Sequence, residues 1–377
     1  MIQDMAEVLH EGEPNGNHRI FRLKLRSGLE IFGLPTSNSY GGGWDLGPTW
    51  NYLVCGDRPF LIDAGRRGAG EELFQMMDGV GVSPADLAFV LLTHGHEDHD
   101  GALPEIVPRI GLTVKAHHIY GSLIRFYPEE APPAVRKDFP AACWRCAMPE
   151  SFSRKYCVDY HRERSVLEIE GIGDGTKELG SGIVSHHLPG HSPDALCVLL
   201  GEEAIAVGDT LLPEISPSPS QEGFFELVRS ILEPAYSDPQ AVYGLRSFIR
   251  SLKRLGKIAE AHPDLLVLPG HRLFFNNRWN EVVLNERVRE LIRHHIDRCA
   301  AMLEILERGP KTAREIAAEY FEERLLKGFG MIMAENEVIS HCELLIAAGD
   351  AAAKDGRYHA TGAGQFESLI DSLEPAT

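Results

Sequence analysis

The chain of 377 residues lacks the features that would assign it to a membrane or to the secretory pathway. No apolar run approaches the roughly 18 residues that a membrane-spanning helix requires. The N-terminal stretch MIQDMAEVLHEGEPNG has no basic segment followed by an apolar core, so we do not expect a signal peptide. The sequence also has no long low-complexity segment and no internal repeat, which excludes solenoids and disordered repeat proteins.

Positive charge and cysteine are both scarce. Because 37 Lys and Arg face 55 Asp and Glu, the net charge is −18. Such a surface repels nucleic-acid phosphates and anionic membranes, so neither is expected as a partner. The seven cysteines are odd in number and scattered. Without an export signal, this usage is typical of reduced thiols, and we expect a cytoplasmic protein.

Apolar strand-like runs alternate with helical segments over most of the chain. LAFVLL (87–92) is a continuous apolar run, typical of a strand covered on both faces, and helices are predicted over 70–81 and 239–261. This alternation predicts an α/β layered core. Residues 117–165, rich in aromatic residues, arginine and proline, predict an insertion. From residue 276 onward the pattern is mostly helical, with GRYHATG (356–362) as a hairpin arm.

Five apolar strands end abruptly in Asp or His. LLTHGHEDHDGA (91–102) carries three histidines and three acidic residues after one of these strands. The other four strand ends are PFLI before Asp63, SHHLPG before His191, AIAVG before Asp209 and LLVLPG before His271. Because strand ends at one edge of a sheet converge on a common crevice, we expect these side chains to meet. Buried His and Asp must be paired or must coordinate a metal.

The donor types and their spacing indicate which metal is expected. Imidazole and carboxylate donors without thiolate favour zinc or iron, and they also suit manganese. The spacing H-x-H-x-D-H places His94 and His96 on the same side of an extended segment. Asp98 and His99 are adjacent and diverge, so they can reach a second metal. Seven ligands on two metals leave positions for water, as a catalytic site requires.

The segment THGHEDHDGA resembles the signature of the metallo-β-lactamase-fold superfamily. Asp63, PGHSPD (189–194), VGDT (207–210) and LPGH (268–271) resemble its other motifs in the same order. The resemblance covers roughly residues 18–275. It implies an α/β fold, the four-layer αβ/βα sandwich with the site at one edge, and an activity like that of the hydrolases related to glyoxalase II.

The resemblance also implies which residues hold the two metals. The first metal would be bound by His94, His96 and His191. The second would be bound by Asp98, His99 and His271. Asp209 would bridge the two metals, and Asp63 would orient the ligands from behind.

A reaction follows from these expected charges. Two divalent metals would carry four positive charges, and two carboxylates and a bridging hydroxide would carry three negative charges. The centre would keep about one positive charge, which favours an anionic substrate. Bound water would lose its proton near neutral pH, and Asp98 would orient this nucleophile and pass the proton to the leaving group. We therefore expect a metal-dependent hydrolase of a small ester, thioester or lactone, with zinc as the favoured metal.

The C-terminal stretch predicts a second domain. We place a catalytic domain at 1–275 and a helical module at 276–377 that resembles a winged helix. Its second helix, SHCELLIAAGD, offers Glu343 and Asp350 but no Lys or Arg. A packing or dimerisation module that walls the active site is therefore favoured over one that binds nucleic acid, and a homodimer stays open.

Other functions of the superfamily stay open as alternatives. A metal-dependent ribonuclease or phosphodiesterase is opposed by the net charge of −18. A single-iron sulfur dioxygenase is open because a full ligand set does not determine how many metals bind. Flavodiiron oxygen reductases resemble H-x-E-x-D, with glutamate where this chain has His96. A ligand-binding protein with a vestigial site is opposed by the complete ligand set.

Several residues outside the five strand ends have two open interpretations. The spacing C-x2-C-x10-C-x3-H of Cys143, Cys146, Cys157 and His161 resembles a structural zinc knuckle, but reduced thiols in a helical insertion are favoured. The glycine-rich segment 37–54 is expected to form a loop over the site. Its aromatic residues would contact substrate or pack in the core: Tyr40, Trp44 and Trp50. Four further histidines are expected to be structural or exposed: His117, His118, His186 and His187.

Overall fold

Two β-sheets form the centre of the fold. The structure, a computed structural model, describes residues 2–38, 45–125, 158–328 and 330–377. One sheet has eight strands that follow chain order, from β1 to β8. The other has five strands in the order β13-β12-β11-β10-β9. Two short hairpins, β14–β15 and β16–β17, complete the strands described.

The strands of the first sheet are β1 (Glu7–His10), β2 (Ile20–Lys24), β3 (Glu30–Thr36), β4 (Thr49–Cys55), β5 (Phe60–Ile62), β6 (Phe89–Leu91), β7 (Thr113–His117) and β8 (Ile169–Ile172). Those of the second sheet are β9 (Thr176–Gly180), β10 (Ile183–His187), β11 (Leu196–Leu200), β12 (Ala204–Gly208) and β13 (Leu266–Pro269). The hairpins comprise β14 (Phe274–Phe275), β15 (Arg278–Trp279), β16 (Ala351–Lys354) and β17 (Arg357–Ala360).

Helices cover the outer faces of both sheets. Along the first half of the chain they are α1 (Ile2–Met5), α2 (Gly70–Gly79), α3 (Glu97–Asp100), α4 (Leu103–Ile110), α5 (His118–Ile124) and α6 (Val158–Ser165). The second half contributes α7 (Phe224–Val228), α8 (Gly244–Ala261), α9 (Leu284–Glu307), α10 (Ala313–Tyr320), α11 (Gly330–Ala348) and α12 (Phe366–Ser372). Within the ranges described, none of them has the length and apolar character to span a bilayer.

Side-chain alternation along the strands creates the layers. In β4, Tyr52 points into the core between the two sheets, while Leu53 points to the core under α2 and α4. In β12, Ala206 faces the core between the sheets, and Val207 faces the core beneath α8. Successive strand residues point to opposite faces, so each sheet buries apolar side chains on both sides. The resulting order, helices, sheet, sheet, helices, confirms the predicted αβ/βα sandwich.

The C-terminal helices share a hydrophobic core with the second sheet. Val267 of β13, Leu252 of α8, Leu291 of α9 and Leu345 of α11 belong to one buried cluster. The start of α10 carries a capping box between Thr312 and Glu315, which satisfies the first backbone N–H groups. A hairpin arm was expected at 356–362, and β17 pairs there with β16. The domain boundary at 275 and the winged-helix description stay predictions.

The expected insertion at 117–165 is described only at its two ends. There His117 closes β7, and α5 and α6 are helical. Cys143, Cys146 and Cys157 lie outside the described residues, so the zinc knuckle stays a prediction. His161 of α6 is buried, and its Nδ1 lies 2.8 Å from Nη2 of Arg164.

For the aromatic residues of the glycine-rich segment, the prediction can be compared with the structure at Trp50 alone. Tyr40 and Trp44 lie outside the described residues. Trp50 belongs to β4 and is fully buried, with its ring centroid 5.3 Å from that of Phe21. Of the two interpretations open for Trp50, core packing is therefore the one the structure supports.

A carboxylate on α11 holds the loop that precedes α7. Glu343 accepts hydrogen bonds from the backbone N–H groups of Glu222, at 2.7 Å, and Gly223, at 2.9 Å. Burial raises the pKa of Glu343 to about 7. Since an unfolded glutamate titrates near pH 4.3, the folded chain binds one more proton than the unfolded chain between these two pH values.

We expect the Glu343→Gln variant to gain stability over the wild type as pH rises from about 4.5 to about 7. The wild type loses stability over this window because its unfolded state ionises first, and the difference reaches about 3 to 4 kcal/mol before levelling off above pH 7. Urea unfolding at both ends of this pH window measures the difference in the free energy of unfolding between the variant and the wild type. Glu367→Gln, on an exposed position of α12, serves as the control. A pH-independent difference for Glu343→Gln would contradict this prediction.

Candidate metal centre

The ends of several strands bring the predicted side chains to one edge of the sandwich. His94 and His96 follow β6, and Asp98 and His99 lie on the short helix α3. His191 follows β10, Asp209 directly follows β12, and His271 lies two residues after β13. Because β12 and β13 are parallel, their carboxyl ends share this edge. We call the set the principal centre: His94, His96, Asp98, His99, His191, Asp209 and His271.

Three histidines form the first group of donors. The Nδ1 atom of His96 lies 3.1 Å from Nε2 of His94 and 3.1 Å from Nε2 of His191. All three donor atoms lie within 4.8 Å of one another. Tetrahedral ligands on zinc, at 2.0–2.1 Å from the ion, stand about 3.3 Å apart. The spacing in this group therefore fits one metal.

Asp98, His99 and His271 form the second group, again with donors within 4.8 Å of one another. Oδ2 of Asp98 lies 3.1 Å from Nε2 of His271 and 3.8 Å from Nε2 of His99. Asp209 stands between the groups. One of its oxygens is 3.5 Å from Nε2 of His99, and the other is 3.7 Å from Nε2 of His191. This is where a bridging carboxylate would be placed.

Hydrogen bonds determine which imidazole nitrogens face the centre. The Nδ1 atoms of three histidines lie next to oxygens that can only accept: Asp63 Oδ2 beside His99 at 2.8 Å, the Ser218 carbonyl beside His191 at 2.8 Å, and the Pro48 carbonyl beside His271 at 3.1 Å. In a neutral imidazole, Nε2 is then without a hydrogen and presents a lone pair. Each of these lone pairs points into the centre.

Several of these inward-facing atoms have no partner of their own. Among the described residues, Nε2 of His99, Nε2 of His271 and Oδ1 of Asp209 are buried without a hydrogen-bond partner. Buried polar atoms in that state are costly unless they coordinate an ion. The donor set therefore fits two divalent cations, and imidazole with carboxylate suits zinc, iron or manganese.

Charge at the centre also favours cations. Burial lowers the pKa of His96 to about 3, so this ring is neutral. Burial also acts to lower the pKa of His271, but the carboxylates of Asp209 and Asp98 outweigh it and raise that pKa to about 10. The negative field that holds a proton on His271 would attract a divalent cation, and binding would release the proton.

Asp63 performs the orienting role expected of it from outside the ligand set. It follows β5 with a φ of 61°, a left-handed conformation that Asp tolerates better than most residues. Its carboxylate accepts hydrogen bonds from the backbone N–H of Thr93 at 2.7 Å and from the Thr93 hydroxyl at 2.8 Å, and it also holds Nδ1 of His99. One carboxylate thus anchors the strand end and one ligand.

Two supporting contacts were not found by sequence reasoning. Arg164 of α6 is buried, donates to the Gly95 carbonyl at 3.2 Å and pairs with Asp100 at 2.6 Å. Asn38 donates to Oδ2 of Asp98 at 3.3 Å. In the sequence, Arg164 was one arginine in an arginine-rich stretch, so no local pattern marked it.

The C-terminal helices reach the centre through one serine. The Ser218 carbonyl holds His191, while the Ser218 hydroxyl donates to Glu337 of α11. Glu337 is buried and pairs with Arg298 of α9. Two helices of the C-terminal stretch thus support the loop that orients His191 of the principal centre.

A narrow cleft of about 40 Å³ opens beside the first group of donors. His96 and His191 lie at its inner end. Its walls mix apolar and hydroxyl side chains with one carboxylate, namely Leu123, Ser192, Asp194, Ser220, Phe224 and Tyr243. The described part of the chain thus leaves a small reactant access to the first group.

Comparison with known proteins identifies the family. Residues 44–271 match the family model of the metallo-beta-lactamase superfamily. The chain belongs to this superfamily. The match covers more than half of the chain and contains all seven residues of the principal centre, which supports a metal-dependent hydrolase.

The relatives of this superfamily member differ in how much of its length they cover. It is 26% identical over 325 residues to the probable metallo-hydrolase YqjP of Bacillus subtilis, covering 78% of this chain and 87% of that protein. It is 28% identical over 174 residues to an atrochrysone carboxyl ACP thioesterase of Aspergillus fumigatus, covering 46% of this chain and 31% of that one. A solved metallo-beta-lactamase family protein from Thermus thermophilus shares the fold, with a TM-score of 0.63, 24% identity, and coverage of 88% of this chain and 98% of that one.

Gly270 gives a test of the metal centre that leaves every ligand in place. A Cβ atom added at Gly270 would lie 2.4 Å from Oδ1 of Asp209 and 2.8 Å from Cε1 of His99. We therefore expect Gly270→Ala to displace the bridging carboxylate and to lower the bound metal of the purified protein by about one equivalent. Inductively coupled plasma mass spectrometry measures the metal content.

The matched control is Gly256→Ala on α8, where a Cβ atom would meet only Val288 at an ordinary 3.6 Å. This variant should keep the metal content of the wild type. Full metal content in Gly270→Ala, with circular dichroism unchanged, would show that Asp209 does not bridge the metals.

Proposed function

We propose that this superfamily member is a binuclear metal-dependent hydrolase of a small ester, thioester or lactone. The observation that carries the proposal is the convergence of two donor groups on Asp209, whose two oxygens face His99 and His191. A carboxylate placed between two triads suits a pair of ions better than a single ion. Zinc is the metal we propose, because the donors are imidazole and carboxylate.

When two divalent ions are bound, they supply hydroxide near neutral pH and polarise the carbonyl of the substrate. Asp98 is the residue that accepts the proton and passes it on. Burial acts to raise the pKa of Asp98, but the neighbouring His99 and His271 hold it below its usual range, so the carboxylate is ionised and can accept a proton. Asn38 and Thr49, at 3.3 and 3.5 Å from its Oδ2, orient it.

The substrate class follows from charge and from one relative. A centre that keeps about one positive charge favours a substrate with a carboxylate or another anionic group. The narrow cleft beside His96 and His191 suits a small acyl group with apolar and hydroxyl neighbours. Similarity to a fungal acyl-carrier-protein thioesterase supports thioesters ahead of lactones and simple esters. The net charge of −18 argues against RNA as the substrate.

A hydrolysis screen on zinc-reconstituted protein tests the proposal. The panel contains acyl thioesters, lactones, p-nitrophenyl esters, bis-p-nitrophenyl phosphate and a short RNA. We expect turnover of at least one acyl substrate and none of the RNA. Cleavage confined to the phosphodiester or RNA, or oxygen uptake with a persulfide by the iron-loaded protein, would overturn the proposed function.

Asp98→Asn should lower kcat on the acyl substrate by about 100-fold or more, because an amide cannot accept the proton. Metal content measured on the same sample separates loss of a ligand from loss of the base. Asp86→Asn, on an exposed turn, is the control and should retain full activity. An Asp98→Asn enzyme with unchanged kcat would exclude the assigned role.

A further inference from the structure

A second group of metal-type donors lies at the junction of the two sheets. His117 is the last residue of β7, Asp174 follows β8 by two residues, and His187 is the last residue of β10. β7 and β8 pair in the first sheet, and β10 belongs to the second. None of the three belongs to the principal centre. We call them the His117 cluster.

The spacing of the His117 cluster matches a metal triad. Asp174 Oδ1 lies 3.1 Å from Nε2 of His117 and 3.2 Å from Nδ1 of His187. All three donor atoms lie within 4.8 Å of one another. These separations are close to the roughly 3.3 Å between tetrahedral ligands on zinc, and they match the 3.1 Å separations of the principal centre.

The tautomer of His187 leaves a lone pair opposite the carboxylate. Nε2 of His187 donates to the Pro193 carbonyl at 2.9 Å, because a carbonyl can only accept. In the neutral ring, Nδ1 then has no hydrogen and faces Asp174 at 3.2 Å. Two lone pairs at this distance repel unless a cation lies between them. Donation of the second ring N–H to a backbone carbonyl is the usual arrangement for a histidine bound to metal.

His117 presents a second neutral imidazole. Its ring stacks on that of His187 with centroids 3.6 Å apart and planes 15° apart. Burial lowers the pKa of His117 to about 3, so the ring is neutral and able to bind a cation. The N–H of Ile119 donates to its Nδ1 at 3.4 Å, so in the neutral ring the hydrogen is on Nε2 and faces Asp174. A cation bound at Nε2 would take the place of this hydrogen and break the long contact to Ile119.

The cluster is open on one side. The Asp174 side chain is 49% exposed, and it lines a cavity of about 210 Å³ together with His187, Tyr236 and Arg250. The Tyr236 hydroxyl donates to Oδ1 of Asp174 at 2.6 Å and so orients the carboxylate. Three protein donors beside an open cavity leave room for a water molecule as a fourth ligand.

The other buried histidine group in the described residues differs from the His117 cluster in how its donor atoms are paired. It comprises His295, Glu337 and His341. Nδ1 of His341 donates to the Glu337 carbonyl at 2.7 Å, which leaves its Nε2 to accept from Nδ1 of His295 at 3.0 Å. The Glu337 carboxylate is neutralised by Arg298. Hydrogen bonds and an ion pair thus satisfy these facing donors. In the His117 cluster Asp174 accepts from Tyr236, but Nδ1 of a neutral His187 faces the same carboxylate oxygen without a hydrogen between them.

We propose that His117, Asp174 and His187 form a third metal site, which binds one zinc ion and leaves a water position facing the cavity. The ion would connect the first sheet, through β7 and the end of β8, to β10 of the second. The site is independent of the hydrolytic reaction, so it can be tested without a substrate.

Metal counting on the full chain tests this site. Protein is loaded with zinc, passed over a chelating resin and measured by inductively coupled plasma mass spectrometry. We expect three equivalents of zinc in the wild type and two in the double variant with His117→Ala and His187→Ala. The variant with His94→Ala, His96→Ala and His271→Ala, which disables the principal centre, should retain one equivalent.

Two further variants control for folding. His186→Ala removes the neighbouring histidine of β10, which contacts Thr176 instead, and should keep all three equivalents. Asp174→Asn changes only an exposed carboxylate, so it should fold and still lose one equivalent. Cobalt loaded into the variant without the principal centre should give the visible absorption of a four-coordinate site, which Asp174→Asn abolishes.

Two results would overturn the proposal. One is a wild type with the same zinc content as the variants of the His117 cluster. The other is a variant without the principal centre that retains no zinc and gives no cobalt absorption. Either would mean that a proton, held between His187 and Asp174, replaces the metal. Because neither result depends on hydrolysis, failure here is distinct from failure of the proposed function.

Discussion

The candidate metal centre depends on holding imidazole nitrogens and carboxylates close together in a buried place. Such donors repel one another and are costly to bury without an ion. The chain keeps them in position by securing the opposite side of each ring. Asp63 holds His99, and the carbonyls of Ser218 and Pro48 hold His191 and His271. The inward nitrogens of these three rings are therefore positioned by the protein itself, which is the preorganisation that a metal centre requires.

This arrangement draws on elements far apart in the sequence. Two sheets supply the strand ends, and the short helix α3 supplies Asp98 and His99. The C-terminal helices contribute as well, because Glu337 of α11 holds the serine whose carbonyl orients His191. The helical module is thus connected to the chemistry through one loop, and it shares a hydrophobic core with the second sheet. These contacts make the helices a support for the loop that holds His191.

Strand-end patterns led to the side chains of the principal centre. Four of the five strands have an apolar run before the Asp or His residues, whereas the segment before His191 contains Ser185, His186 and His187. Burial and the position of the polar group can therefore be seen locally for most of the set. The contacts that orient the ligands could not be seen. Arg164, Ser218 and Glu337 are single polar residues in unremarkable stretches, and they matter only through partners that the chain brings together by folding. His117 and His187 were expected to be structural or exposed, and the structure buries both and places them against Asp174, a contact that no local pattern indicated.

By itself, the sequence predicted the αβ/βα layering and seven His and Asp side chains that the fold brings together at one edge of the sandwich. These features follow from short-range patterns, because apolar periodicity specifies the strands and the residue after each strand must lie at the sheet edge. Only the tertiary structure decided which nitrogen of each ring faces the centre, which distant groups hold the ligands and which additional donors meet at the sheet junction. Those properties depend on distances between residues separated by tens to hundreds of positions, and no local pattern encodes such distances.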